Sequence, residues 1–188
     1  MYTLLLVDDE EDVIEVIERK VSWEQIGFHV VGHAGNGFKA LEMMEDMQPD
    51  VVMTDIRMPY MDGLELCSNI RQRFPATKLL LFTGFDDFEY AKEAVHLEIE
   101  EYILKPLNLA EITEVFKKLK TKLDDELNEK KNTDILKQYY AASLPVLQSN
   151  FYTTLIEGRI PENELGRYMS DYKIVLEGPY YCCIIIHT

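Results

Sequence analysis

The sequence predicts an α/β fold in which a doubly wound, five-stranded parallel sheet lies between layers of helices. Short apolar runs alternate with amphipathic stretches five times between residue 2 and about residue 120. The runs are continuously apolar, which is typical of strands that are buried on both faces. Turn-forming residues separate these runs from the amphipathic stretches. Together these observations indicate repeated β/α units with right-handed crossovers.

The elements follow in order along the chain. Strands are predicted near residues 2–7, 28–34, 51–54, 78–82 and 101–104. Helices are predicted near residues 11–20, 37–47, 63–73, 86–96 and from 108 onward. Asn36-Gly37 marks the start of the second helix, and Asn108 is placed to cap the fifth.

The fifth predicted helix extends past the end of the sheet domain. Its apolar residues are spaced 3, 4, 3 and 4 positions apart, at Leu109, Ile112, Phe116, Leu119 and Leu123. One interpretation is a single helix whose inner stripe packs on the sheet. The other is a coiled coil that pairs two chains, although two heptads are fewer than the usual three or four.

The pattern changes after this helix, which suggests three parts in the chain. The sheet domain covers residues 1–122, a helical linker covers 123–142, and a second, middle domain begins at 143 and runs to 188. We predict further helix over 133–157, broken at Pro145, then a short helix over 162–171. A fully apolar strand is predicted over 180–187, and no partner strand follows it in this sequence. Its exposed edge would be prone to aggregation, so the chain is expected to stop inside this domain.

Composition limits the possible environments and partners. The chain has 188 residues and a net charge of −15, and most of the acidic excess lies in residues 1–110. Such acidity disfavours direct contact with nucleic acid and suits a cation or a basic partner surface. No apolar run is long enough to span a bilayer and no signal peptide is evident, so we expect a cytoplasmic protein without membrane contact.

The thiols and imidazoles give no sign of a disulfide framework or a zinc site. Cys67, Cys182 and Cys183 are odd in number, and the adjacent pair cannot easily bridge. Reduced, structural thiols are therefore expected. The four histidines lack ligand spacing.

Four of the predicted strands end at residues with carboxylate, hydroxyl or ammonium side chains. The first ends at Asp8-Asp9-Glu10, the third at Asp55, the fourth at Thr83 and the fifth at Lys105. Because the carboxyl ends of parallel strands share one edge, we expect these side chains to meet in one crevice.

These residue types together suit phosphoryl chemistry. Converging carboxylates can hold Mg²⁺, although helix capping alone would account for one of the acidic residues at 8–10. Asp55 can act as a nucleophile towards phosphorus if a metal ion and a cationic side chain neutralise the negative charges of its carboxylate and of the incoming phosphoryl group. Lys105 offers the cation, and Thr83 offers a hydroxyl to a phosphoryl oxygen.

The sequence resembles a response-regulator receiver domain over about residues 1–122. The resemblance lies in Leu6-Val7-Asp8-Asp9-Glu10, Thr54 to Pro59 with Asp62-Gly63, Phe82-Thr83-Gly84 and Tyr102 to Pro106. It implies a flavodoxin-like sheet of strand order 2-1-3-4-5. It also implies that the chain is a signalling switch rather than an enzyme.

The resemblance further implies a role for each site residue. Asp55 would accept the phosphoryl group, and Lys105 would contact it. Asp9 would bind Mg²⁺ directly and Asp8 directly or through water, together with Asp55 and the backbone carbonyl of Arg57. The bond before Pro106 would be cis. Thr83 and Tyr102 would form the switch pair, which reshapes the face of the fourth helix, fifth strand and fifth helix.

A narrower resemblance concerns receivers attached to AraC-type DNA-binding domains in Gram-positive bacteria. It is carried by Trp23 to Phe28, Gly32 to Gly37 and Gly84 to Ala91. It implies transcriptional control through a C-terminal DNA-binding domain outside this chain. For a phospho-accepting switch, the expected phosphodonor is a sensor histidine kinase. If the 109–123 stripe is a dimer contact, phosphorylation is expected to strengthen the homodimer. Trp23 itself is expected to be a packing residue.

Two other functions are compatible with part of this pattern. One is an interaction module that dimerises without phosphorylation, which an incomplete site would favour. The other is an aspartate-nucleophile phosphatase of the haloacid dehalogenase type, which requires the motif Asp-x-Asp. In this chain Asp8 is followed two residues later by Glu10, and Asp55 by Arg57, so neither place has the second aspartate. In the family that the sequence resembles, the positions of Arg57 and Phe85 flank the site and tune the lifetime of the phosphoryl group. Gly84 replaces the alanine that is common at its position.

Overall fold

The computed structural model describes residues 1–84, 96–106 and 108–175. The chain forms two compact units, Met1–Asp125 and Glu126–Thr188. One long helix begins in the first unit and ends in the second. The predicted helix over 86–96 lies almost entirely outside the described residues, as does the predicted strand over 180–187.

The first unit is built on a five-stranded parallel sheet of order β2-β1-β3-β4-β5, as predicted. Its strands are β1 (Tyr2–Val7), β2 (Phe28–Ala34), β3 (Val51–Asp55), β4 (Lys78–Thr83) and β5 (Glu101–Leu104). The central strands β1, β3 and β4 are almost completely buried, which explains their continuous apolar sequence.

The helices begin and end close to the predicted positions. They are α1 (Glu11–Lys20), α2 (Gly37–Met47), α3 (Gly63–Arg73), α4 (Leu109–Ile156) and α5 (Glu162–Asp171), with a short 3-10 helix at Trp23–Ile26. Asn36 and Asp62 cap α2 and α3 by accepting backbone N–H groups three residues on. Asn108 accepts the Ala110 amide at 3.0 Å, so its predicted cap on α4 is confirmed.

The core divides into two clusters, one on each face of the sheet. Leu4 and Leu6 of β1 join the cluster formed with α1 and α4. Leu5 and Val7 join the cluster formed with α2 and α3. This division follows from the period of two in a strand, which sends neighbouring side chains to opposite faces.

Trp23 is a core packing residue, as predicted. Its ring is buried, and its Nε1 donates to the Ile17 carbonyl at 3.2 Å. It meets Phe116 of α4 edge-to-face, with ring centroids 4.7 Å apart. Phe116 meets Phe28 in the same way at 5.0 Å. These contacts fix the first part of α4 on the sheet.

The stripe at 109–123 therefore packs on the sheet of its own chain. Ile112, Phe116, Leu119 and Leu123 are all buried in the first core cluster, and Leu109 packs against it. The alternative interpretation, in which this stripe pairs two chains, is wrong because its side chains are already covered.

The predicted break at Pro145 is also wrong, since α4 continues through that residue to Ile156. Beyond Asp125 the helix packs against α5. The Phe151 and Tyr172 rings lie 6.3 Å apart, and Gln148 donates to the Tyr172 carbonyl at 3.0 Å. The Tyr140 hydroxyl donates to the Asp171 carbonyl.

Cys67 is a free thiol buried in the second core cluster. Burial raises its pKa to about 12, so it stays protonated and unreactive, as expected of a structural cysteine. Within the described parts of the chain, every helix is too short or too polar to cross a bilayer.

Candidate functional site

The carboxyl edge of the sheet brings together the residues that end β1, β3 and β5. Lys105 Nζ lies 3.1 Å from Asp8 Oδ2 and 3.3 Å from Asp55 Oδ2. These three residues are far apart in sequence, and the strand order alone makes them neighbours. The predicted convergence of Asp8, Asp55 and Lys105 is therefore present in the structure.

Asp9 completes an acidic cluster at this edge. One carboxylate oxygen from each of Asp8, Asp9 and Asp55 lies within 4.8 Å of the others. Asp8 and Asp55 are buried, whereas Asp9 is exposed. Hard divalent cations prefer such oxygen ligands and usually retain several waters, so the donor set fits Mg²⁺.

Backbone hydrogen bonds orient the two buried carboxylates. Asp8 Oδ1 accepts the Glu10 amide at 2.8 Å, and Asp55 Oδ1 accepts the Ile56 amide at 2.8 Å. In each case the other oxygen, Oδ2, faces Lys105. The turn after each strand therefore fixes one carboxylate oxygen and leaves the second directed into the site.

Gly63 allows α3 to begin directly against the end of β3. Its amide donates to the Ile56 carbonyl at 2.8 Å. A Cβ atom at this position would overlap the Asp55 carbonyl oxygen, which is backbone and cannot swing aside. The Asp62-Gly63 pair thus holds the loop that carries Arg57 close to the acceptor.

The electrostatics of the site favour binding a cation. Burial raises the pKa of Asp8, although the Glu10 amide and Lys105 oppose the rise. Burial also raises the pKa of Asp55, against the charge of Lys105. Burial would lower the pKa of Lys105, but its contacts with both carboxylates outweigh this and raise it. Among the described residues, the two buried carboxylates thus carry more negative charge than the one positive charge of Lys105 that faces them.

Lys105 is held from several sides. Its backbone amide donates to the Thr83 carbonyl at 2.7 Å, which continues the pairing of β4 with β5. The Lys105–Pro106 peptide bond is cis, as the resemblance implied. Lys105 Nζ also lies 5.0 Å from the centre of the Phe82 ring. The ammonium group is therefore positioned by the fold.

Thr83 and Tyr102 lie on the same face of the sheet. In the β4–β5 register Leu81 pairs with Tyr102 and Thr83 pairs with Leu104. Residues two apart in a strand share a face, so the Tyr102 side chain projects on the Thr83 side. Thr83 is fully buried, whereas Tyr102 is half-buried against the second core cluster.

Two of the flanking residues can be placed. Arg57 lies in the loop after β3 with its side chain exposed. A Cβ at Gly84 would meet its nearest neighbour, the Lys105 Cβ, at an ordinary 4.0 Å, so the missing methyl group does not reshape the site. Phe85 lies outside the described residues.

The structure adds one contact that the sequence did not predict. Glu10 Oε1 lies 3.6 Å from Lys105 Nζ, at the solvent side of the site. The run of three acidic residues at 8–10 was a signal that Glu10 lies near the site. It did not show that Glu10 would approach Lys105, because that depends on the turn between β1 and α1.

Comparison with known proteins places this arrangement in a family. Residues 4–117 match the response regulator receiver domain. The chain resembles the isolated receiver domain of AraT, a response regulator from Geobacillus stearothermophilus, with 36% identity and a TM-score of 0.64. That match covers 67% of this chain and 98% of the AraT domain. The chain therefore belongs to the response-regulator receiver domain family.

Longer relatives are transcriptional regulators of Gram-positive bacteria. YesN of Bacillus subtilis is 37% identical over 137 residues, which cover 73% of this chain and 37% of YesN. HptR of Staphylococcus aureus is 26% identical over 164 residues, which cover 87% of this chain and 64% of HptR. The chain thus spans well under two thirds of the first relative and slightly under two thirds of the second.

Proposed function

We propose that this chain is the phosphoryl-accepting part of a two-component response regulator, with Asp55 as the acceptor. The observation that carries the proposal is the convergence of Asp8, Asp9, Asp55 and Lys105 at one edge of the sheet. A sensor histidine kinase that bears a phosphohistidine would be the donor.

The phosphoryl transfer depends mainly on positioning the reacting groups and on neutralising their negative charge, and less on covalent chemistry by residues other than Asp55. An Asp55 carboxylate oxygen forms a bond to phosphorus while the bond from phosphorus to the donor imidazole nitrogen breaks. The electron pair of the broken bond stays on the imidazole. Lys105 faces Asp55 at 3.3 Å and would pair with the incoming phosphoryl oxygens.

Asp8, Asp9, Asp55 and the backbone carbonyl of Arg57 would hold Mg²⁺. When bound, the ion supplies positive charge that lowers the repulsion between carboxylates and phosphoryl oxygens. The support for this assignment is the spacing of the three aspartates and the excess of buried negative charge around Lys105.

Phosphorylation would act on a two-state element. The Thr83 hydroxyl would turn towards the phosphoryl group, and the Tyr102 ring would move into the space that it leaves. Thr83 and Tyr102 lie on the same face of the sheet, which supports their proposed role as a switch pair. The rearranged surface would strengthen a homodimer.

Transcriptional control would belong to the whole protein. Its support is that the longer relatives YesN and HptR are named transcriptional regulatory proteins. The acidity of residues 1–110 disfavours DNA contact by the receiver, so DNA would be bound by a C-terminal domain outside this chain.

The proposal is tested by phosphorylating the purified chain with acetyl phosphate and Mg²⁺ and measuring its intact mass. The wild type should gain one phosphoryl group, and Asp55→Asn should gain none. Asp46→Asn, an exposed aspartate on α2, is the matched control and should behave like the wild type. Uptake by Asp55→Asn at the wild-type level would refute the assignment.

A further inference from the structure

The proposed transfer leaves the acidic side chain of Glu10 at the site without a role. Glu10 Oε1 lies 3.6 Å from Lys105 Nζ, and the Glu10 side chain is 64% exposed. Among the described residues, the acidic group that could hold a metal ion consists of Asp8, Asp9 and Asp55 and does not include Glu10. An ion pair with so exposed a partner contributes little to folding stability. The contact between Glu10 and Lys105 therefore needs another explanation.

Capping of α1 does not explain Glu10 either. The residue occupies the N-cap position of that helix, but in the described structure its side chain makes no capping hydrogen bond. Short polar side chains are the usual N-caps because they reach the free amides of the first turn. Asn36 and Asp62 act in this way on α2 and α3. The longer Glu10 side chain instead approaches Lys105.

The ammonium group of Lys105 is shared among three carboxylates. It has three N–H donors. Two of them serve Asp8 Oδ2 at 3.1 Å and Asp55 Oδ2 at 3.3 Å, and both of these carboxylates are buried. Glu10 lies at the remaining side of the ammonium group, towards solvent. A phosphoryl oxygen that arrives from solvent would need this same side.

We propose that Glu10 competes with the incoming phosphoryl group for Lys105 and thereby slows phosphate uptake by the site. This role rests on the proposed function, because it concerns the same reaction. Glu10 acts through Lys105 and is therefore a positioning residue. Its carboxylate occupies the solvent side of the ammonium group, and its negative charge repels a phosphate dianion. Both effects oppose the approach of the phosphoryl group.

The charge of Glu10 also has an opposite effect, through the metal ion. Negative charge close to Asp8 and Asp9 attracts Mg²⁺ and should tighten its binding. At saturating Mg²⁺ this contribution no longer changes the rate, so only the competition for Lys105 and the repulsion of phosphate remain. For an exposed carboxylate in water, these two effects together should change the rate by about two- to fivefold.

The test compares two neighbouring glutamates. Glu10→Gln removes the charge and keeps the length of the side chain. Glu11→Gln is the matched control, because Glu11 is exposed in the first turn of α1 and makes no ion pair within the described parts of the chain. Phosphorylation by acetyl phosphate at saturating Mg²⁺ is followed by intact mass over time. Glu10→Gln should gain phosphate about two to five times faster than the wild type, and Glu11→Gln should stay close to the wild-type rate.

Salt dependence separates this electrostatic role from a structural one. In about 1 M salt the Debye length falls to about 3 Å, so the rates of the wild type and Glu10→Gln should converge. A loss of helix capping or of packing would not disappear in this way. A rate for Glu10→Gln no higher than that for Glu11→Gln at low salt, or an increase that persists unchanged in high salt, would overturn the inference.

Binding of inorganic phosphate in the presence of Mg²⁺ tests the same competition without the covalent step. In an NMR titration, Glu10→Gln should bind phosphate about two to five times more tightly than Glu11→Gln. If neither the wild type nor the variants gain mass from acetyl phosphate, the proposed acceptor fails and these affinities decide the role of Glu10. Equal affinities would then overturn that role as well. If the wild type gains phosphate while the two variants have equal rates, only the inference about Glu10 fails.

Discussion

The surroundings of Asp55 favour its chemistry at the expense of the folding stability of the protein. Its side chain is buried, and burial raises the pKa of its carboxyl group. The nearby charge of Asp8 raises the pKa further, while Lys105 opposes the rise. An ionised carboxylate here costs folding free energy at neutral pH, yet only the ionised form can attack phosphorus. Such a cost is common where a group is arranged for function.

The first prediction concerns this cost. A carboxyl group whose pKa is raised by folding contributes stability below its unfolded pKa, and this is lost as pH rises through the folded pKa. Without divalent cations at pH 7, Asp55→Asn should therefore unfold with a free energy higher than the wild type by on the order of 1 kcal/mol. The difference should vanish in acid, where the wild-type carboxyl is protonated in both states.

Urea unfolding at several pH values measures this difference. Asp46→Asn, with the same chemical change on an exposed side chain, should match the wild type at every pH. If Asp55→Asn were less stable than the wild type at pH 7, the electrostatic description of the site would be wrong.

The sequence predicted which residues meet at the site but not how they differ. Asp8, Asp55 and Lys105 could be predicted because they end buried strands of one parallel sheet. The position of Asp8 and Asp9 in one acidic run does not predict which of the two side chains is buried. The structure buries Asp8 and exposes Asp9, because the turn after β1 closes through the Asp8–Glu10 hydrogen bond. That choice depends on tertiary packing, which periodicity does not report.

At the scale of the elements, the site depends on how closely α3 approaches β3. The approach is possible because residue 63 has no side chain. Gly35, in the loop after β2, has more room, since a Cβ there would lie 3.9 Å from the Asp8 carbonyl oxygen. The two glycines therefore differ in how well they should accept a methyl group.

The second prediction uses this difference. Gly63→Ala forces the Asp55 backbone or the start of α3 to shift and should destabilise the first unit by about 1–3 kcal/mol. Gly35→Ala meets only an ordinary contact and should change the unfolding free energy by less than about 0.5 kcal/mol. Thermal and urea unfolding would measure both values. Similar losses for the two variants would show that the close approach at Gly63 is not the cause.

The first half of α4 shows what a heptad pattern can and cannot predict. The 3-4 spacing at 109–123 correctly predicted a buried stripe, but spacing does not identify what covers it. Here the cover is the sheet, because Phe116 fits between Trp23 and Phe28. The sequence predicts a break in the helix at Pro145 because proline removes a backbone donor. Packing against α5 on both sides of Pro145, through Tyr140 and Phe151, holds the helix together.

The third prediction tests this assignment of the stripe. Phe116 is fully buried, so Phe116→Ala should destabilise the first unit by about 3–5 kcal/mol through lost burial and a cavity. Leu136→Ala, on an exposed part of the same helix, should cost less than about 0.5 kcal/mol. If both substitutions lowered the free energy of urea unfolding by the same small amount, the 109–123 stripe would not be buried against the sheet.

At the scale of the whole molecule, the residues of the proposed chemistry all belong to the first of the two units. The acidic site lies in Met1–Asp125, whereas the second half of α4 and the whole of α5 lie in Glu126–Thr188. The strand order and most element bounds of the first unit could be predicted because buried parallel strands and capped helices leave strong local signals. In the second unit the helix at Glu162–Asp171 was predicted with its bounds. The continuity of α4 through Pro145 was not, because the packing that holds the helix together there is tertiary.

The central claim is that phosphorylation occurs on Asp55 of the assembled site. Borohydride reduces an aspartyl phosphate to homoserine, so the position of the modified residue can be read by peptide mass mapping. After treatment with acetyl phosphate and Mg²⁺, then borohydride, homoserine should be found at position 55. It should be absent when Mg²⁺ is chelated beforehand. Homoserine at another aspartate, or at none under conditions that phosphorylate a known receiver, would contradict the account.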